Sequence, residues 1–291
     1  MLPENFSAER RNMEDTRRHS MLCPHCRRLI SMDEALCPYC GLRNPGSGWN
    51  RVTLNVGVMS GGHLIRNIIY LNAAMFILSI VLHPSSAGFS MNPFEFFSPG
   101  SQILLLLGAT GKIPIDALHR WWTIISANYL HGSILHILFN MMALSQIGPL
   151  IIQEFGVYRT VTIYTLSGVG GYVVSYLAGV PLTLGASAAV CGLIGAALFF
   201  GKSRGGHFGQ MVYQQVGGWA IGIFIFGFLF GGINNWAHGG GLVFGILIAF
   251  LFGYQERTPQ NQFDKTAALI CIVATLVTLV LAVGSTLLQI V

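Results

Sequence analysis

Three polar elements in an otherwise apolar chain carry residue types that could do acyl-transfer chemistry. Ser187 stands in Gly185-Ala186-Ser187-Ala188, and His238 in Asn235-Trp236-Ala237-His238-Gly239-Gly240. A third element, running from His131 through His136 to Asn140, opens another apolar run. A serine hydroxyl becomes a useful nucleophile when a neighbouring base takes its proton, and His238 is the candidate base. His136 and Asn140, spaced i, i+4, would share one helix face, and both can donate a hydrogen bond to a developing oxyanion. Ser187 near a helix start would add free backbone N–H groups and the positive end of a helix dipole, with Gly185 in support. His131, offset by five from His136, is less well aligned and is expected to contact the preceding loop.

The elements that must position these groups are membrane helices. The chain of 291 residues is 53% hydrophobic and only 9% charged, against roughly 25% charged in a soluble domain. Polar side chains clustered at one depth of a bilayer are costly and mark a functional site. Seven apolar runs are near the roughly 20 residues that a spanning helix needs. They are placed at Leu64–Leu82, Ala127–Ile147, Val157–Ala178, Ala186–Phe200, Val212–Phe230, Asn235–Phe252 and Thr266–Leu288. A run at Gln102–Leu107 is too short to span and is expected to lie in the interface or re-enter. The fold class expected is an all-α polytopic membrane protein, with six core spans and a seventh appended C-terminally.

Lysine and arginine set the expected orientation. The tail carries Arg10, Arg11, Arg17, Arg18, Arg27, Arg28, Arg43 and Arg51; Arg159, Lys202 and Arg204, and Arg257 and Lys265 fall in loops on the same side. With the tail cytoplasmic, His131, His136, Ser187 and His238 all lie in the outer parts of three spans that run inward. Glu154 and Arg159 read as solvated loop charges. Gly192 and Gly195 after Ser187, and Gly241 and Gly245 after His238, would let two helix backbones approach closely. The fourth span, at fifteen residues or about 22 Å, would start in a water-accessible recess below the outer surface.

Absences narrow the chemistry. Between Ala35 and Gln255 the only acids are Glu95, Asp116 and Glu154, all assigned to loops. That argues against an intramembrane aspartyl protease and a carboxylate-coupled pump, and leaves no third acid to orient His238. No H-E-x-x-H occurs, which argues against a zinc metalloprotease.

The tail has its own chemistry. Cys23-Pro24-His25-Cys26 and Cys37-Pro38-Tyr39-Cys40 are separated by ten residues, a spacing for a tetra-thiolate zinc ribbon. In so short a module the metal would supply most of the folding energy. The division expected is a disordered tail over 1–20, a zinc-ribbon-like module over 21–45, a linker over 46–60, a membrane core over 61–255, and a polar loop with the seventh span over 256–291. A basic tail of this kind is explained by orientation, with no nucleic acid expected as partner.

Residues 60–255 resemble the rhomboid intramembrane serine proteases. The resemblance rests on Gly185-Ala186-Ser187, on Ala237-His238-Gly239-Gly240-Gly241, on His136 to Asn140, and on Leu107–Gly111 with Arg120-Trp121-Trp122 in the first loop. It implies Ser187 as nucleophile and His238 as base, with His136, Asn140 and the Ser187 backbone N–H as oxyanion hole. It also implies cleavage of transmembrane segments of other proteins within the lipid bilayer, with no cofactor for catalysis. Substrate would enter laterally past the fifth helix, under a mobile cap between spans five and six. The chain departs from the family at Ala188, where glycine is usual, at Cys191, where an aromatic residue often packs on the histidine, and at Trp122-Thr123, where a Trp-Arg pair is usual. Trp236 is a candidate to supply the missing bulk beside His238. The alternative reading is a catalytically silent rhomboid-like protein that binds membrane clients. The zinc ribbon would dock a cytoplasmic partner.

Overall fold

The computed structural model describes residues 20–23, 28–39, 41–46, 61–82 and 96–290. It divides into two units, residues 1–60 and 61–291. Within the first, β1 (Ser20–Leu22) and β2 (Leu29–Ser31) pair antiparallel, with Met21 opposite Ile30. The disordered tail expected over 1–20 and the linker expected over 46–60 lie outside the described residues, except for Ser20, which is in β1, and Gly46.

Among the described residues, the second unit is helical in every regular element. It comprises α1 (Gly61–Val81), α2 (Ser101–Leu106), a π-helical turn (Ile113–Ala117), α3 (Thr123–Ser126) and a 3-10 turn (Ala127–Tyr129). There follow α4 (Ile134–Phe155), α5 (Val157–Leu177), α6 (Ser187–Arg204), α7 (Gly206–Leu229), α8 (Asn235–Phe252) and α9 (Gln262–Ile290). Five helices are long and apolar enough to cross a membrane: α1 from His63, α4, α7, α8 and α9. The chain is an all-α polytopic membrane protein. Its surface is apolar where lipid would lie, with Leu177, Phe228, Leu251 and Leu288 among its most exposed side chains. α5 and α6, also expected as spans, form the middle of the bundle. α6 is buried along most of its length, and it packs against α4, α5, α7 and α8.

Several boundaries move for physical reasons. The second expected span started at Ala127; α4 starts at Ile134, because Ser133 takes an extended conformation and its side chain accepts the His136 N–H as an N-cap. The fourth expected span ended at Phe200; α6 continues to Arg204 and stops at Gly205, where φ is +66°. At 18 residues it is about 27 Å long, so its length alone no longer demands a recess. Lys202 and Arg204 are therefore last-turn residues, where cations complement the helix dipole. Glu154, expected in a loop, lies in the last turn of α4.

Arg159 is not a solvated loop charge. It is 1% exposed, in the first turn of α5. Its Nε and Nη2 fork onto Asp264 Oδ1 and Oδ2 at 3.1 and 2.9 Å. Nη1 donates to the carbonyls of Gly253 and Thr258, and Nη2 also to that of Pro259. A buried charge is tolerated when paired and fully hydrogen-bonded, and here every guanidinium N–H has an acceptor. The polar break after α8 thus folds back over α5 and fixes the start of α9. Gln260 closes the same corner by accepting the Tyr158 N–H.

Candidate active site

The site is assembled from the first turns of two parallel helices. A Cβ on Gly241 would overlap the Ala188 carbonyl, and one on Gly245 would overlap the Gly192 carbonyl. A Cβ on Gly195 would meet the Leu242 carbonyl. Gly195, Gly241 and Gly245 thus mediate the expected close packing between α6 and α8, backbone on backbone, while a Cβ on Gly192 would first meet the Ser167 side chain of α5. The contacts of Ala188 with Gly241 and of Gly192 with Gly245 share an offset of 53 residues and advance in one direction, so both helices start at the same end. In that register Ser187 is level with Gly240, and His238 lies two residues, or roughly 3 Å, further toward that end.

Gly185 shapes the approach to Ser187. Its φ of +125° suits glycine. A Cβ there would lie 2.6 Å from His136 Nε2 and 3.7 Å from Ser187 Oγ, so these two atoms flank one point. The Gly185 carbonyl accepts the Tyr172 hydroxyl at 2.5 Å, and its N–H donates to Ala127.

His136 is oriented for donation. Its Nδ1 accepts the Gly132 N–H at 3.3 Å. A neutral imidazole has one donor and one acceptor nitrogen, which leaves the proton on Nε2, the atom beside Gly185 and Ser187. The Ala186 position before α6 has no side-chain cap, so first-turn N–H groups remain available to an oxyanion. Asn140 sits on the same face of α4, one turn deeper and 7% exposed, with its Nδ2 donating to the His136 carbonyl at 2.9 Å. One of its two N–H groups is thereby used within α4.

His238 is 6% exposed, and its Nδ1 has no hydrogen-bond partner among the described residues. Ser187 is half-buried. Trp236 is 61% exposed and does not supply buried bulk beside His238. The Ala188 methyl, absent in the usual family pattern, faces Gly171 of α5, so this departure is absorbed by a neighbouring glycine. Thr123, in place of the family's arginine, bonds Thr110 Oγ1 at 3.0 Å.

His131 is fully buried, and its Nε2 accepts the Ala186 N–H at 3.5 Å. Its hydrogen bond is with the approach to Ser187. The ring packs edge-on to His136 at 5.0 Å between centroids. Sequence reasoning also missed Tyr172 and Asn234. No motif marks Tyr172, and an asparagine just before an apolar run marks no more than a helix cap.

In the tail, Cys23 and Cys37 are buried and share a small cluster with Ile30. Each opens a closed turn: the Cys23 N–H donates to Arg28 O, the Cys37 N–H to Leu42 O, and the Gly41 N–H back to Cys37 O. Cys26 and Cys40 lie outside the described residues. Among the described residues no three His, Cys, Asp or Glu side chains converge as a metal site.

Comparison with known proteins finds a likeness over this part of the chain. Residues 118–255 match the rhomboid domain model. RHOMBOID-like protein 6, mitochondrial, of Arabidopsis thaliana is 30% identical over 190 residues, covering 62% of this chain and 60% of that protein. Rhomboid protease GluP of Bacillus subtilis (strain 168) is 29% identical over 181 residues, covering 61% of this chain and 35% of that protein. RHOMBOID-like protein 5 of Arabidopsis thaliana is 41% identical over 103 residues, 34% and 33% of the two chains. The chain thus spans about 60% of the first of these relatives and about a third of the other two. The match contains α4, α5, α6, α7 and α8 with all the candidate active-site residues, and this part of the chain is similar to the rhomboid domain.

Proposed function

We propose that this protein is an intramembrane serine endopeptidase that cleaves transmembrane segments of other membrane proteins through Ser187 and His238. The observation that carries the reading is the convergence of His136 Nε2–H and Ser187 Oγ on one point beside Gly185, at the shared end of two helices locked in parallel. A peptide carbonyl carbon placed against Ser187 Oγ would be attacked as His238 takes the hydroxyl proton. The oxyanion would accept from His136 Nε2 and from the Ser187 backbone N–H, with Asn140 close by. His238 would then hand the proton to the leaving amine, and water would release the acyl group by the same steps. Without a third acid, the ring of His238 is held by its helix.

The cytoplasmic tail and the outward-facing site belong to this proposal. It is supported by Arg159, Lys202, Arg204 and Arg257 at the end of the bundle away from Ser187. A structural zinc held by Cys23, Cys26, Cys37 and Cys40 is likewise proposed. Two buried cysteines opening two closed turns suit that donor set, and the metal's part is to hold the module folded. A cytoplasmic protein docking on that module completes the proposal.

One observation favours the silent, client-binding alternative: no hydrogen bond joins Ser187 Oγ to the His238 ring among the described residues. Catalytic hydrogen bonds are often long without substrate, so the test is functional. The full chain in liposomes is given a model transmembrane substrate and, separately, a fluorophosphonate probe. Cleavage and labelling by wild type, both lost in Ser187→Ala and His238→Ala, support the proposal. A wild type that neither cuts several substrates nor labels makes the client-binding reading the better one.

A further inference from the structure

Asn234 precedes α8 and uses every polar atom of its side chain. Oδ1 accepts the Ala237 N–H at 3.1 Å, which caps the helix. Nδ2 donates to Ser175 Oγ on α5 at 2.6 Å and to Thr183 Oγ1 at 3.0 Å. The amide orientation is fixed chemically, because the Ala237 N–H can only donate and so must meet the oxygen. The Asn234 carbonyl also accepts the His238 N–H at 3.1 Å.

Thr183 stands four residues before Ser187 and is itself pinned. Its N–H and carbonyl exchange hydrogen bonds with Thr110, at 2.6 and 2.9 Å. One side chain therefore joins the turn that bears His238, the end of α5, and the stretch that delivers Ser187. Capping needs only the oxygen, and Asp, Ser or Thr would serve as well. The two donated bonds exceed that need. They also fall where the site otherwise lacks a fastening, since His238 Nδ1 has no partner among the described residues.

We infer that Asn234 is a positioning residue, which sets the first turn of α8, and with it His238, against the Thr183–Ser187 stretch. This rests on the proposed protease reading. It acts through His238 and does not touch substrate.

Serine and aspartate at this position separate positioning from capping. Asn234→Ser keeps a capping oxygen but is too short to bridge. Asn234→Asp keeps the cap and can accept from the Ser175 and Thr183 hydroxyls once these turn their protons toward it. The full chain is compared in liposomes for kcat and KM, with thermal unfolding followed in parallel. Misplacing a catalytic group by about 1 Å can cost about 100-fold. The expected result is a kcat lowered about 10- to 100-fold in Asn234→Ser and Asn234→Ala, with KM unchanged and wild-type turnover largely recovered in Asn234→Asp. Asn234→Ser turning over like wild type, Asn234→Asp no better than Ala, or a loss confined to KM would overturn the inference.

A second measurement does not depend on proteolysis. Ser187→Cys and His238→Cys are combined in a Cys191→Ala, Cys271→Ala background, and the oxidative cross-link between positions 187 and 238 is followed by mass spectrometry. Cross-linking at least about fivefold slower with Asn234→Ser than with Asn234→Asp supports positioning; equal rates overturn it. If wild type neither labels nor cuts, the protease reading falls, and this cross-link still decides the role of Asn234.

Discussion

Arg159 and Asp264 meet as a planar fork 105 residues apart in sequence, with Nε–Oδ1 at 3.1 Å and Nη2–Oδ2 at 2.9 Å, both side chains essentially without solvent contact. The pair ties α9, which lies outside the matched domain, to the first turn of α5, which lies inside it.

Breaking that pair from one side strands a buried charge. Arg159→Met or Asp264→Ala alone is expected to destabilise the fold by about 3–5 kcal/mol, and replacing both by apolar residues is expected to restore much of the loss. Denaturation in detergent, followed by circular dichroism, measures each. Additive losses in the double variant would mean that the two side chains act independently.

The α6–α8 contact predicts a sharp penalty for one methyl group. Gly245→Ala would drive a Cβ into the Gly192 carbonyl; with backbone on both sides neither atom can give way. Overpacking of this kind costs about 1–3 kcal/mol, and here it should also slow fluorophosphonate labelling of Ser187. Gly218→Ala on α7, where a Cβ meets nothing within 4 Å, should leave both unchanged.

His136 should matter for rate more than for folding. Losing one oxyanion donor lowers turnover by about 10²–10³, so His136→Ala is expected to lower kcat by that factor with KM little changed. Tyr172→Phe removes the short bond to the Gly185 carbonyl and a longer one to the Ala127 carbonyl and should cost about tenfold or less, in keeping with about 1 kcal/mol for one hydrogen bond. A Tyr172→Phe effect larger than that of His136→Ala would reverse the ranking of the two.

The tail makes an independent prediction. Released with a mercurial and titrated with a chromogenic chelator, the full chain should yield about one zinc per molecule, through four cysteine ligands. Cys37→Ser should reduce the yield severely while leaving cleavage of a transmembrane substrate intact. Metal-free wild-type protein would remove the zinc proposal.

The helix that bears His238 was legible to the residue, because Asn234 caps it and Gly253 stops it. The glycines were equally legible as contacts, since small residues four apart on a membrane helix have few other uses. Arg159 was misread because charge in a membrane chain was taken as a marker of solvent, and its partner Asp264 lies too far along the sequence for spacing to pair them. The hydrogen-bond partner of His131 was not legible for a related reason. Its acceptor nitrogen meets a backbone N–H, that of Ala186, and backbone partners leave no trace in side-chain patterns. The start of α4 was placed early because Ala127–Leu130 is apolar and buried while being a 3-10 turn, which hydropathy does not separate from a span.

The constant offset between α6 and α8 has a consequence for how this chain tolerates change in length. The register is set where the two helices touch, at Ala188 against Gly241 and Gly192 against Gly245, and the residues between α6 and Asn234, 205–233, do not enter into it. α7 packs on α6 but hardly on α8. Residues 205–233 are an excursion whose length the meeting of Ser187 and His238 does not sense, whereas one residue inserted between Ser187 and Gly192 would turn the serine about 100° around its helix.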